Sequence, residues 1–121
     1  MKNQKTLVLG ASLKQERYSN IAIKRLLDNN IEVVALGAKR GEVSGVTIEV
    51  SPILLSDIDT ITLYLSPKNQ QQYYDYIKEL QPRRVIFNPG TENMELIEIL
   101  QKEKIHAEIA CTLVLLSTKQ F

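Results

Sequence analysis

The chain has 121 residues, 44% of them hydrophobic and 24% charged, with a formal net charge of +1. That size suits one domain burying about two-thirds of its surface, and the composition excludes disordered and fibrous classes. Charge so near balance gives no global attraction to nucleic acid or to an anionic membrane. The single cysteine precludes an internal disulfide and agrees with a reducing compartment. No apolar run approaches a membrane span, and Met1-Lys2-Asn3-Gln4-Lys5 is followed by too few apolar residues for a signal peptide. A cytoplasmic location is expected.

Leu7-Val8-Leu9 is an unbroken apolar triplet, the pattern of a short strand buried on both faces. Gly10 ends it where the backbone must turn and leave room for a close neighbour. Ser19 is then expected to cap a helix that buries Ala22, Ile23, Leu26 and Leu27 and closes at Asp28-Asn29-Asn30. Ile31 to Leu36 reads as a second strand ended by Gly37, and Gly41 to Val50 as a hairpin or surface excursion around Ser44-Gly45. Pro52 and Ile53-Leu54-Leu55 lead through Asp57-Ile58-Asp59 to a third strand, Thr60 to Leu65. Ser66-Pro67 is a helix start, serine at the N-cap and proline in the first turn, for a helix burying Tyr73, Ile77 and Leu80. A fourth strand, Val85-Ile86-Phe87, ends in Asn88-Pro89-Gly90, after which Thr91 is expected to cap a helix carrying Leu96, Ile97 and Leu100. Ile105 to Ala110 alternates, with Ile105, Ala107 and Ile109 facing inward, and so reads as an edge strand. Thr112 to Leu116 is expected to pack back on the sheet as a helical turn.

Strands alternating with helices predict a Rossmann-like, doubly wound α/β domain: five mainly parallel strands with helices on both faces. Ligands of such sheets bind beyond the carboxyl ends of the strands, near the point where strand order reverses. Those ends are Gly10-Ala11-Ser12, Gly37 to Arg40, Ser66-Pro67, Asn88-Pro89-Gly90 and Cys111. The first combines a small-residue turn with the N-terminus of a helix, where unpaired N–H groups and the helix dipole favour phosphate. Lys14 and Arg17 lie in that loop, and the first turns of the helix contain no acid. At the end of the second strand an NAD-binding domain would present an acid to the ribose hydroxyls. Here stand Lys39 and Arg40, which suit a ligand with an additional ribose phosphate, NADP or coenzyme A. They equally suit two solvated surface cations. Glu92 and Glu95, expected in the first turn of the later helix, argue against phosphate there.

In order and spacing, Val8-Leu9-Gly10-Ala11-Ser12, Arg17-x-Ser19, Lys39, Gly41-Glu42-Val43 with Gly45, and a cysteine after the last strand resemble the small bacterial CoA-binding domain proteins. These are stand-alone relatives of the CoA-binding domain of succinyl-CoA synthetase, and the resemblance covers nearly the whole chain. It implies a five-stranded Rossmann-like sheet binding CoA or an acyl-CoA at its carboxyl edge. Gly10, Ala11 and Ser12 would approach the pyrophosphate, and Arg17, Tyr18 and Ser19 would contact phosphate or cap the helix. Lys39 would sit by the ribose phosphate or adenine. Asn88, Pro89 and Gly90 would flank the pantetheine side, with Ser66 and Pro67 on the neighbouring turn. Tyr18 stands where many relatives carry proline, and Asn88-Pro89-Gly90 replaces a Gln-x-Gly step.

Cys111 has two readings: a thiolate at the head of a helical turn able to pair with the CoA thiol, or a small buried hydrophobe. His106, on the outer face of an edge strand, reads as a surface residue. No metal-ligand spacing, nucleophile elbow or Walker A pattern occurs, so no catalytic or metal residue is assigned. Signal-receiver chemistry would need acids where Gly10-Ala11-Ser12 stands. The expected function is CoA or acyl-CoA binding without catalysis. An NADP-binding oxidoreductase-like module and a protein-binding adaptor are the alternatives. A homodimer or a partner enzyme is left open.

Overall fold

Strand β1 (Thr6–Ala11) is the centre of a seven-stranded sheet, and the chain is wound to either side of it. The structure is a computed structural model and describes residues 4–53 and 55–121. Met1 to Asn3 and Leu54, which entered the reading of the N-terminus and of the step before the third strand, lie outside the described residues. From β1 the chain passes through α1 (Tyr18–Asp28), β2 (Val33–Gly37), β3 (Gly41–Val43) and β4 (Val46–Glu49). It then crosses to β5 (Thr60–Leu63), α2 (Pro67–Gln70), a 3-10 turn over Gln71–Tyr73, and α3 (Tyr74–Leu80). β6 (Arg84–Phe87), α4 (Met94–Lys102), β7 (His106–Ile109) and α5 (Thr112–Ser117) complete it. Strand order is β3-β4-β2-β1-β5-β6-β7, and every pairing is parallel except β3 with β4. Order therefore reverses between β1 and β5.

The apolar triplet behaves as its composition demands. Leu7 and Leu9 join Ile77 of α3 and Leu96 and Leu100 of α4 in one core, while Val8 joins Ile23 and Leu26 of α1 and Leu116 of α5 in the other. Helices thus cover both faces, and each large side chain so buried contributes roughly 1.5–3 kcal/mol. Strict alternation would put Ala11 with Leu7 and Leu9, yet it lies in the Val8 core. The cause is a bulge: pairing with β2 skips from Leu9–Leu36 to Ala11–Gly37, and Gly10 takes φ +98°.

Several sequence expectations need correction. The sheet has seven strands and not five, because the Gly41–Val50 excursion is a hairpin that joins it, β4 lying parallel to β2. Ser44 and Gly45 turn it with φ of +49° and +87°, the handedness tight hairpins require. β5 ends at Leu63, two residues early, so Tyr64 and Leu65 fall in the loop at the carboxyl edge. Its helix is broken into α2, a 3-10 turn and α3. Arg17, not Ser19, is the N-cap of α1, and Asn93, not Thr91, is that of α4, its side chain accepting from the Glu95 and Leu96 N–H groups. Ile109 of the edge strand β7 is 60% exposed and does not face inward. No helix among the described residues is long and apolar enough to cross a membrane.

Candidate functional site

Over the β1–β5 switch point lies an open cleft of about 640 Å³, the size of a small-molecule site. The β1–α1 loop lines it with Gly10, Ala11, Ser12, Leu13, Lys14, Arg17, Tyr18 and Ser19, and the end of β2 with Ala38 and Lys39. Across the switch point stand Tyr64, Leu65 and Ser66 after β5, and Pro89, Gly90 and Thr91 after β6. The lining is polarised. Its three cations, Lys14, Arg17 and Lys39, all belong to the β1 and β2 half, and neither half includes a carboxylate.

The first half is shaped by backbone. A Cβ on Gly10 would stand 2.9 Å from the Tyr64 carbonyl carbon and 3.0 Å from its oxygen, so only glycine lets the two strand ends close. The Lys14 N–H donates to Ser12 Oγ and the Arg17 N–H to Lys14 O, winding the loop tightly. Asn20, 1% exposed, donates from Nδ2 to Ser12 O at 2.9 Å and ties that loop to the first turn of α1. Both Asn20 N–H and Ile21 N–H return to Arg17 O, while the Tyr18 and Ser19 N–H groups precede the first intrahelical bond. No acid lies in that turn. This is an anion-receptive corner.

The second half is built by a buried amide. Gln70, fully buried, donates from Nε2 to both Leu65 O and Thr91 O at 2.8 Å, tying the two loops together. Its own oxygen accepts from Asn93 Nδ2, which also donates to the Tyr74 hydroxyl. Gly90 takes φ +91°, its N–H donating to Glu92 Oε1 at 2.8 Å, and Thr91 donates to Asn88 O from both N–H and Oγ1. Tyr64 packs on the α1 face with its hydroxyl beside Thr62 and Thr112. No hydrogen bond of good geometry reaches that hydroxyl, and burial pushes the phenol up to about 12.

Among the thirteen residues singled out from sequence, Gly10, Ala11, Ser12, Arg17, Tyr18, Ser19, Lys39, Ser66, Pro89 and Gly90 line the cleft, whereas Pro67, Asn88 and Cys111 do not. Asn88 is buried and fully used: it donates to Thr62 Oγ1 and Leu63 O and accepts from the Thr112 N–H, clamping β5, β6 and α5. Cys111 is half-buried as the N-cap of α5. Arg40 lies outside the lining and pairs with Glu49 at 2.7 Å, which leaves Lys39 as the cation of that loop facing the cleft. Sequence reasoning missed Tyr64 and Leu65 by running the third strand too far. It also missed Asn20 and Gln70, whose only signal is a polar residue on the apolar face of a helix.

A mainly parallel, doubly wound sheet with an open, locally cationic cleft at its switch point defines a Rossmann-like α/β protein. Within that class, the CoA binding domain matches residues 4–117, and the chain belongs to that family. An uncharacterized protein of known crystal structure is 47% identical, with a TM-score of 0.96 and 100% of both chains covered. A conserved hypothetical protein from Pyrococcus furiosus is 28% identical, with a TM-score of 0.81, covering 92% of this chain and 97% of that one. The dinucleotide-forming acetyl-coenzyme A synthetase 1 of Ca. Korarchaeum cryptofilum, in complex with phosphate and ADP, is 13% identical with a TM-score of 0.70. That match covers 90% of this chain but 26% of the synthetase, and at such identity the likeness is one of fold. No curated protein matches the chain in sequence.

Proposed function

We propose that the chain binds coenzyme A or an acyl-CoA across the carboxyl edge of its sheet and performs no chemistry of its own. One observation carries the reading: the cleft places every lining cation in one half and leaves the other half uncharged. CoA has that same division, with phosphates at its nucleotide end and a neutral pantetheine arm. Lys39 would hold the ribose phosphate. Lys14, Arg17 and the Tyr18 and Ser19 N–H groups would hold the pyrophosphate, against the positive end of α1. Leu65, Ser66, Pro89 and Gly90 would flank the arm. Family membership supports the ligand class, and a lining without carboxylate, histidine or thiol supports binding without catalysis. A cytoplasmic protein that hands its ligand to a partner enzyme, or pairs with a second copy, fits this role.

Thermal unfolding with CoA, acetyl-CoA, NADPH and NAD tests it. Ligand at a hundredfold excess over Kd stabilises by about 2.7 kcal/mol, so CoA and acetyl-CoA are expected to raise Tm by several degrees and NAD by none. A larger shift with NADPH than with CoA would transfer the cleft to NADP. No shift with CoA, or equal shifts with all four, would overturn the assignment.

A further inference from the structure

We propose that the uncharged half of the cleft selects CoA thioesters with neutral acyl groups over those ending in a carboxylate, and that Glu92 sets this preference. The inference rests on the CoA reading above. It adds what lies beyond the sulfur. Charge complementarity directs the phosphates toward Lys14, Arg17 and Lys39, so the arm and any acyl group run toward Pro89, Gly90 and Thr91. An acyl carboxylate arriving there would need hydrogen-bond donors or a cation to replace its water. On the β6 loop the donors are already used: the Gly90 N–H donates to Glu92 Oε1 at 2.8 Å, and Thr91 gives its N–H and its hydroxyl to Asn88 O at 3.0 and 2.7 Å. Lys68, on α2, lies outside the lining; so does Glu92, but its Oε1 stands 2.8 Å from the backbone nitrogen of the lining residue Gly90.

What does stand at that end is negative. The Glu92 carboxylate is exposed and held in place by the Gly90 N–H it accepts. Glu95, in the first turn of α4, accepts from the Tyr74 hydroxyl at 3.0 Å and is a second exposed carboxylate three residues on. The walls cannot part easily to admit more water, because buried Gln70 ties Leu65 O to Thr91 O. A neutral acetyl or propionyl group meets Leu65, Pro89 and the αL turn at Gly90 without cost. A succinyl carboxylate meets like charge and, on the β6 loop, no free amide.

Titration calorimetry at low ionic strength with CoA, acetyl-CoA and succinyl-CoA, on the natural chain and on Glu92→Gln, tests this. The glutamine amide oxygen can still accept the Gly90 N–H, so charge is removed with little change of shape. The natural chain is expected to bind acetyl-CoA about three- to tenfold more tightly than succinyl-CoA, and Glu92→Gln to shrink that ratio to under about twofold. The ratio is read within each protein, so a general change of affinity cancels. Equal affinity for the two thioesters in the natural chain overturns the proposal, as does a ratio that survives Glu92→Gln unchanged. Failure to bind CoA itself overturns the reading beneath it as well, and the two failures are thereby told apart.

Discussion

Two residues of the cleft carry predictions that separate architecture from affinity. At Gly10, φ +98° and the 2.9 Å approach of the Tyr64 backbone leave no position for a side chain. Gly10→Ala is therefore expected to cost about 2–4 kcal/mol, combining left-handed strain with overpacking against main chain, seen as a lower urea midpoint at unchanged m-value. At Lys39 the side chain is exposed and the backbone ordinary, so Lys39→Ala should leave stability untouched. It should instead raise the Kd for CoA about three- to fivefold and that for dephospho-CoA, which lacks the ribose phosphate, by less than about twofold. Arg40→Ala is the control, since Arg40 is spent on Glu49 at 2.7 Å outside the lining. Calorimetric titrations that show Arg40→Ala mattering as much as Lys39→Ala would mean the loop recognises phosphate by diffuse charge and not by one side chain.

At the scale of elements, the half of the cleft after β5 depends on a helix that does not run through. α2 stops at Gln70, and the chain restarts at α3 after a 3-10 turn, with Gln70 fully buried. Its Nε2 serves two carbonyls and its Oε1 one amide, so Gln70→Leu removes three hydrogen bonds at once and takes this donor from Leu65 O and Thr91 O. A loss of about 2–4 kcal/mol is expected, with faster amide exchange in the loops after β5 and β6 than in β1. Exchange accelerating uniformly across the sheet would show Gln70 to be ordinary core. This network also marks where sequence legibility ended. Apolar periodicity picks out most of the core and, with the alternation of strands and helices, the doubly wound class, with Gly10 at the turn and Lys39 after β2; it does not give the strand order. It carries no information about a glutamine that bonds loops across 21 residues, or about which of several polar residues before a helix becomes its cap. Ser19 and Thr91 have cap chemistry, yet Ser19 is buried in the first turn of α1 and the Thr91 hydroxyl is taken by Asn88 O. The β3–β4 hairpin was legible as a turn, but its addition to the sheet was not, because β4 pairs with β2 through only Ala35–Ile48 and Leu36–Glu49.

Across the whole molecule, the two edges of the sheet divide the work. The carboxyl edge carries the cleft, and the amino edge carries a charged network that holds the strands in register. There the Asp59 N–H donates to Lys5 O, and Asp59 O accepts from the Arg83 and Arg84 N–H groups, joining β1, β5 and β6. The Asp59 carboxylate takes a bidentate pair from Arg83 at 2.8 and 3.0 Å and a hydroxyl from Thr60, which in turn accepts from Arg84 Nε. Burial of the carboxyl would by itself raise its pKa. The Arg83 and Thr60 hydrogen bonds and the charges of Arg83 and Arg84 outweigh it and hold the pKa below its ordinary 3.8. A carboxyl whose folded pKa lies below its unfolded value contributes stability that is full above the unfolded pKa, here about 3.9, and that disappears as pH falls through the folded one. Unfolding free energy measured in urea should therefore be flat on this account at neutral pH and fall below about pH 4. Asp59→Asn should be less stable than the natural chain at pH 7 by about 1–3 kcal/mol and show a shallower acid fall, the two curves converging toward pH 2. Because the network lies at the far edge from the cleft, CoA affinity at pH 7 should be the same in both proteins. Parallel stability curves would remove Asp59 from the acid transition, and a changed Kd would mean that the edges are coupled through the strands between them.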